Sequence, residues 1–123
     1  MIYNIAYSDD RKILIRTFKG KVSFDEVLAS WQELIHHNRI SEEVLGILND
    51  FTYAELMMDR DNLEQLMAFF TSHSEIFERI RLAVVMMLPE NIVLPVLASQ
   101  RYPQFKIEAF STLEAAESWL RSE

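Results

Sequence analysis

The sequence predicts an α/β protein, a mixed, mostly parallel sheet with helices on its faces and elements in the order ββαβαβαβα. Three observations carry this. Apolar residues recur with period two in some stretches and at three- and four-residue spacing in others, and the two kinds alternate along the chain. Two runs, Val44 to Leu48 and Ile80 to Leu88, are apolar on both faces, as strands buried between helix layers are. Two S-x-x-E capping boxes, Ser23 with Glu26 and Ser111 with Glu114, mark helix starts.

Taken in order, Tyr3, Ile5 and Tyr7 alternate with shorter or polar residues, and Ile13 to Phe18 follows across the polar turn Ser8-Asp9-Asp10-Arg11, which predicts a hairpin. After Lys19-Gly20-Lys21, the Ser23 box opens a helix with Val22 and Val27 in the flanking staple positions. Phe24, Val27, Leu28, Trp31, Leu34 and Ile35 form its apolar face, and Asn38 suits a left-handed end. Val44 to Leu48 is the next strand, ending in Asn49-Asp50. Phe51 to Met58 reads as a long connection to a second helix that starts at Asp59 or Asp61 and buries Leu63, Leu66, Met67 and Phe70. Ile80 to Leu88 is a strand closed by Pro89-Glu90-Asn91, and Val96 to Tyr102 a short helix with Pro95 at its first position; the place of Ile92 to Leu94 is open. Phe105 to Phe110, alternating with Lys106 and Glu108, reads as an edge strand, and the Ser111 box opens a last helix over Leu113, Ala116 and Leu120. No linker, repeat or low-complexity tract interrupts this order, so residues 1–123 are expected to form a single domain.

Composition removes several functions. Nineteen acidic against 12 basic residues leave a net charge of −7, which repels phosphate backbones, so nucleic acid is not an expected partner. There is no cysteine, hence no disulfide, thiolate nucleophile or zinc ribbon, in keeping with a cytoplasmic location. The opening Met1-Ile2-Tyr3-Asn4 lacks an export signal, and the longest wholly apolar run, Leu82 to Leu88, is far short of the ~20 residues of a membrane span, so no integral membrane association is expected. With Gly20 and Gly46 the only glycines, neither a Walker loop, nor G-x-G-x-x-G, nor G-x-S-x-G can be formed.

Candidate chemistry is sparse. His36, His37 and His73 fall at helix ends, where the dipole favours imidazolium, and no metal-ligand spacing surrounds them. Asp59-Arg60-Asp61-Asn62 continues with Leu63-Glu64 and not with a calcium-loop pattern, so helix capping explains its carboxylates; no metal and no cofactor are expected. Met57, Met58, Met67, Met86 and Met87 fit either a filled core or an adaptable apolar pocket. Five of the 12 basic residues lie between Arg11 and Lys21, where they could form an anion track, but with a net charge of −7 they read as a solvated hairpin. Strand carboxyl ends are where open α/β sheets collect ligands, which makes Asn49, Asp50, Glu90 and Asn91, with Ser111 and Thr112, candidates for a ligand crevice; the same residues suit strand ends and helix caps.

Tyr3-Asn4-Ile5-Ala6-Tyr7, Val44-Leu45-Gly46-Ile47-Leu48-Asn49-Asp50 and Ser111-Thr112-Leu113-Glu114-Ala115-Ala116-Glu117-Ser118-Trp119-Leu120, in this element order, resemble the STAS domain, particularly its small stand-alone SpoIIAA-like bacterial branch. The resemblance covers nearly the whole chain. It implies a regulatory, non-catalytic module that binds a protein partner, as anti-sigma factor antagonists do. In the family's switch members a D-S-S-G-L stretch opens the second helix and carries a phosphorylated serine. The matching Asp59-Arg60-Asp61-Asn62-Leu63 keeps the first and last residues and has no phosphoacceptor hydroxyl. Asp61 stands in place of a serine, with less charge than a phosphate. The resemblance and the mixed apolar and charged composition of Phe51 to Met58 together mark Tyr53, Met57, Met58, Asp59, Arg60 and Asp61 as the expected partner surface. The branch is also similar to SEC14-like lipid-binding domains, which implies the alternative of a carrier for a small apolar ligand or lipid, in a pocket lined by the methionines and Phe69 or Phe70. Partner identity and oligomeric state are open at this level.

Overall fold

The computed structural model describes residues 2–122; Met1, where the reading for an export signal begins, and Glu123 lie outside the described residues. Strands β1 (Ile2–Tyr7) and β2 (Ile13–Ser23) form the antiparallel hairpin, followed by α1 (Phe24–His36), β3 (Gly46–Met57), α2 (Arg60–Ser72), a single turn α3 (Ser74–Phe77), β4 (Arg81–Met86), α4 (Pro89–Arg101), β5 (Lys106–Phe110) and α5 (Leu113–Arg121). The sheet order is β1-β2-β3-β4-β5, with every pairing after the first parallel. Strands laid side by side in chain order, joined by crossovers of one hand, put all connecting helices on the same face. Accordingly α1, α2, α3 and α4 bury Trp31, Leu34, Leu66, Phe70, Phe77 and Leu94 against Leu14, Phe18, Ile47 and Leu82. The other face is covered by α5, whose Ala116 and Leu120 pack on Ile13, Leu48, Ala83 and Val85.

Local signals act where the sequence places them. Glu26 N–H donates to Ser23 Oγ (3.2 Å) and Ser23 N–H to Glu26 Oε1 (3.0 Å), which closes the box at α1, and Asn38 takes the left-handed conformation (φ 52°) just past its end. Trp31 is 3 % exposed and meets the edges of Phe70 and Phe77. Asp59 is the N-cap of α2, in a reciprocal box with Asn62, and Leu63, Leu66, Met67 and Phe70 are its buried face.

Several boundaries depart from the sequence reading. β2 runs on from Phe18 to Ser23, and β3 neither includes Val44 and Leu45 nor ends at Asn49-Asp50, since Phe51 to Met57 is its second half and not a connection. The cause is a bulge. Thr17 pairs with Asp50 but Lys19 with Tyr53, so β3 holds one extra residue there. Ile47, Asn49 and Phe51 face the helices before it, and Ala54, Leu56 and Met58 after it, which breaks the period-two pattern. Asp50 braces the bulge by accepting from Thr52 N–H (2.9 Å) and Thr52 Oγ1 (2.5 Å).

β4 is shorter than Ile80 to Leu88, and Pro89-Glu90-Asn91 is the first turn of α4 and not a loop. Pro89 is at a first-turn position that needs no N–H, while Pro95 lies inside the helix, where burying Leu94, Pro95 and Ala98 outweighs one lost backbone bond. α5 is capped by Thr112, whose Oγ1 accepts from Ala115 N–H (3.1 Å), and not by Ser111. The edge position of β5 agrees with its alternating pattern.

Candidate functional site

β2 and β3 stay paired through Ser23 and Met57, beyond the last β3–β4 pair, Phe51 with Met86. This two-stranded extension leads directly into the caps of α1 and α2 and leaves one side of β3 without a strand neighbour. α4 fills the gap. Asn91, 8 % exposed, accepts from Leu56 N–H through Oδ1 (3.3 Å) and donates to Leu56 C=O through Nδ2 (3.0 Å), so one side-chain amide takes the place of a strand partner.

Beneath this bridge, between the sheet and α1, α2 and α4, lies a cavity of about 80 Å³. Its wall is apolar apart from Arg16 and Asn49: Trp31 and Val27 come from α1, Leu63, Leu66, Met67 and Phe70 from α2, Leu94, Pro95 and Ala98 from α4, and Phe51, Leu56, Leu82 and Met86 from the sheet. An open depression next to it is lined by Glu55, Met57, Asp59, Asn62, Glu90 and Asn91 and shares Leu56 and Met58 with the cavity. Its rim therefore carries three carboxylates and no basic side chain.

Arg16 is the unexpected member. Read as part of a solvated hairpin, it is 1 % exposed and lies on the helix-facing side of β2 between Leu14 and Phe18. Its guanidinium stacks over Trp31 (3.7 Å to the ring centre) and lies 4.9 Å from the centre of the Phe18 ring. Nη1 donates to Asn49 Oδ1 (2.6 Å), Nη2 donates to Ser30 Oγ, and Nε–H has no hydrogen-bond partner. Asn49 Nδ2 in turn donates to Ala83 C=O (3.0 Å) and Ser30 Oγ to Val27 C=O (2.9 Å). No ion pair links Arg16 to a carboxylate among the described residues. Burial pushes the guanidinium down to about 9, which leaves it cationic at neutral pH.

The structure thus gathers some of the expected residues and separates others. Met57, Met58 and Asp59 meet Glu90 and Asn91 around one depression, and Asn49 lies in the cavity wall. Asp50 is at the bulge, Tyr53 is 75 % exposed, and Arg60 and Asp61 are exposed on the first turn of α2 outside the depression. Among the methionines, Met58, Met67 and Met86 line the cavity, Met57 is on the rim and Met87 is exposed; Phe70 lines it and Phe69 does not. Arg16 was detectable only through the spacing Leu14, Arg16, Phe18, which repeats every second residue, but Ile13 and Ile15 make the other face equally apolar. Among the described residues no group of three or more His, Asp and Glu stands close enough to hold a metal ion, and no helix is long and apolar enough to cross a membrane.

The architecture is the STAS-like, SpoIIAA-like fold. An uncharacterised protein of the DUF3478 family with a SpoIIAA-like fold, from Shewanella loihica PV-4, is similar over 97 % of this chain and 92 % of its own, with a TM-score of 0.63 and 17 % identity. The anti-sigma factor antagonist SpoIIAA in its unphosphorylated form is similar over 99 % of this chain and 100 % of its own, with a TM-score of 0.58 and 11 % identity. No family model and no curated protein sequence matches the chain.

Proposed function

We propose that this chain is a single-domain, non-catalytic, cytoplasmic regulatory protein that takes a small apolar ligand into the cavity between its sheet and α1, α2 and α4. The observation that carries this is the cavity itself, an unfilled apolar space in the core that opens beside the rim of β3, α2 and α4. Its volume sets the ligand size. At about 80 Å³ it is smaller than the ~150 Å³ that admits benzene in an engineered apolar cavity, so it accepts a group of a few carbons unless its walls yield. Met58, Met67 and Met86 are the walls best able to do so, because an unbranched thioether changes rotamer at small cost.

The test is to label the methionine methyl groups with ¹³C and add 1-hexanol. Met58, Met67 and Met86 should shift in a saturable manner and Met87 should not; no shift at the three would remove the cavity as a site for a neutral apolar ligand.

A second reading, favoured by the exposure of Tyr53 (75 %) and Met57 (51 %) beside the start of α2, is a protein partner seated on Tyr53, Met57, Met58, Asp59, Arg60 and Asp61. SpoIIAA, which shares the fold, is described as an anti-sigma factor antagonist. No hydroxyl lies between Asp59 and Leu63, so such a partner is not switched by a phosphate there. Capture of the same protein by wild type and by Asp61→Lys, at equal foldedness, would take Asp61 out of that surface.

A further inference from the structure

A buried cation without an anion is costly, and in folded proteins such charges are paired or bound to a ligand. Arg16 has two of its nitrogens satisfied by the neutral groups of Asn49 and Ser30, one face covered by Trp31, and a buried Nε–H without a partner, and its side chain forms part of the wall of an otherwise apolar cavity. The missing charge is supplied by no described side chain. The geometry points to a small aliphatic carboxylate as the ligand, its carboxyl group directed inward onto Arg16 and its alkyl chain running toward the mouth at Leu56 and Met58. This rests on the reading of the cavity as a ligand site and adds the chemical class of what enters it.

Orientation follows from charge. Glu55, Asp59 and Glu90 repel a carboxylate held at the rim, so attraction exists only for the inward arrangement. An amine placed the same way meets Arg16 as a like charge, and an alcohol gains the apolar wall with at most one neutral hydrogen bond. The single open donor suits one carboxylate oxygen, and the charge-assisted bond it makes is roughly twice as strong as a neutral one.

The experiment titrates the full chain with hexanoate, 1-hexanol and hexylamine by calorimetry and follows the Arg16 Nε–H resonance by ¹H–¹⁵N spectroscopy. Hexanoate is expected to bind at least about tenfold more tightly than 1-hexanol, and only hexanoate should move the Nε–H signal downfield; hexylamine, whose ammonium the rim carboxylates attract, enters alkyl end first and leaves that signal unmoved. In Arg16→Met, hexanoate should lose this advantage while 1-hexanol still binds. Equal affinity of hexanoate and 1-hexanol for the wild type, or an unmoved Nε–H signal at saturation with hexanoate, overturns the carboxylate assignment and leaves the apolar ligand site standing. Failure of all three compounds to bind overturns both. Should Arg16→Met not fold, the wild-type affinity ratio and the Nε–H signal decide the matter on their own.

Discussion

The amide of Asn91 pairs with both the N–H and the C=O of Leu56, across 35 positions of sequence, at the point where β3 has outrun β4. The contact holds the first turn of α4 against the strand extension and so fixes the roof of the cavity. Removing it strands a buried donor and a buried acceptor, because Leu56 is 7 % exposed. Asn91→Ala should therefore lower the unfolding free energy by about 1–3 kcal/mol in a urea titration. The Leu56 amide should also exchange with deuterium faster in the variant, which separates loss of this pair from a general loss of packing.

Arg16 and Trp31 touch in the core but are expected to differ sharply in what their removal costs. Trp31 fills core volume between Arg16, Phe70 and Phe77, and Trp31→Ala should cost about 3–5 kcal/mol. Arg16→Met removes a desolvated cation and keeps most of its volume but strands the buried Asn49 Oδ1, so the two effects oppose each other and its melting temperature should stay close to that of the wild type. A large drop for Arg16→Met would mean that its bonds to Asn49 and Ser30 outweigh the cost of burying the charge.

Asp59 and Asp61, two residues apart, are expected to separate cleanly. Asp59 accepts from Asn62 N–H (2.8 Å) as the cap of α2, so Asp59→Ala should lose about 0.5–2 kcal/mol. Asp61 is exposed in the first turn, and Asp61→Ser should change stability by no more than about 0.5 kcal/mol. Thermal melts of the two variants test this directly. Any effect of Asp61→Ser on partner capture is then an effect at the surface and not on the fold.

Gly46 is required for a reason unrelated to turns. A Cβ there would lie 2.6 Å from Leu120 Cδ2 and 2.9 Å from the Arg81 carbonyl oxygen, at the start of β3 under α5. The leucine methyl can move but the backbone oxygen cannot, so Gly46→Ala should destabilise by about 1–3 kcal/mol, measured by urea unfolding.

The Asp10 carboxyl is held well below the ordinary carboxylate range, first by Arg121, then by the Ser8 hydroxyl and the Lys12 N–H. A depressed folded value means that its contribution is present above the unfolded value, near ~3.9, and is lost as the pH falls through the folded one. Being exposed, it adds little to global stability. The site-specific effect is readable: in a carboxyl NMR titration, Arg121→Gln should move the Asp10 midpoint up toward the ordinary value.

The sequence revealed most where a single local rule decides. The Ser23–Glu26 box, the apolar face of α2 and the turn at Asn38 each depend on residues within one or two turns, and each is where its pattern places it. The second half of β3 was hidden because one extra residue near Phe51 and Thr52 flips the inward face from odd to even positions, so no single period spans it. The first turn of α4 was hidden because Pro89 and Pro95 both read as breaks, whereas one suits a helix start and the other is held by burial. Of the site, the rim was legible as two separate groups, Met57 to Asp59 and Glu90 with Asn91, and their meeting depends on the strand extension. Arg16 was missed because charge argues for solvent, and only its neighbours in three dimensions show otherwise.

Among the described residues the far face of the sheet has one cover, α5, which follows all five strands. Each strand from β2 to β5 joins an edge already present, so the sheet and its four-helix face can form in the order in which the ribosome delivers them. Ile13, Leu48, Ala83 and Val85, however, stay open to water until Ala116 and Leu120 arrive. A nascent chain translated only as far as Phe110 is thus a nearly complete sheet with a bare apolar side. Docking of α5 is therefore the step that withdraws this apolar face from water.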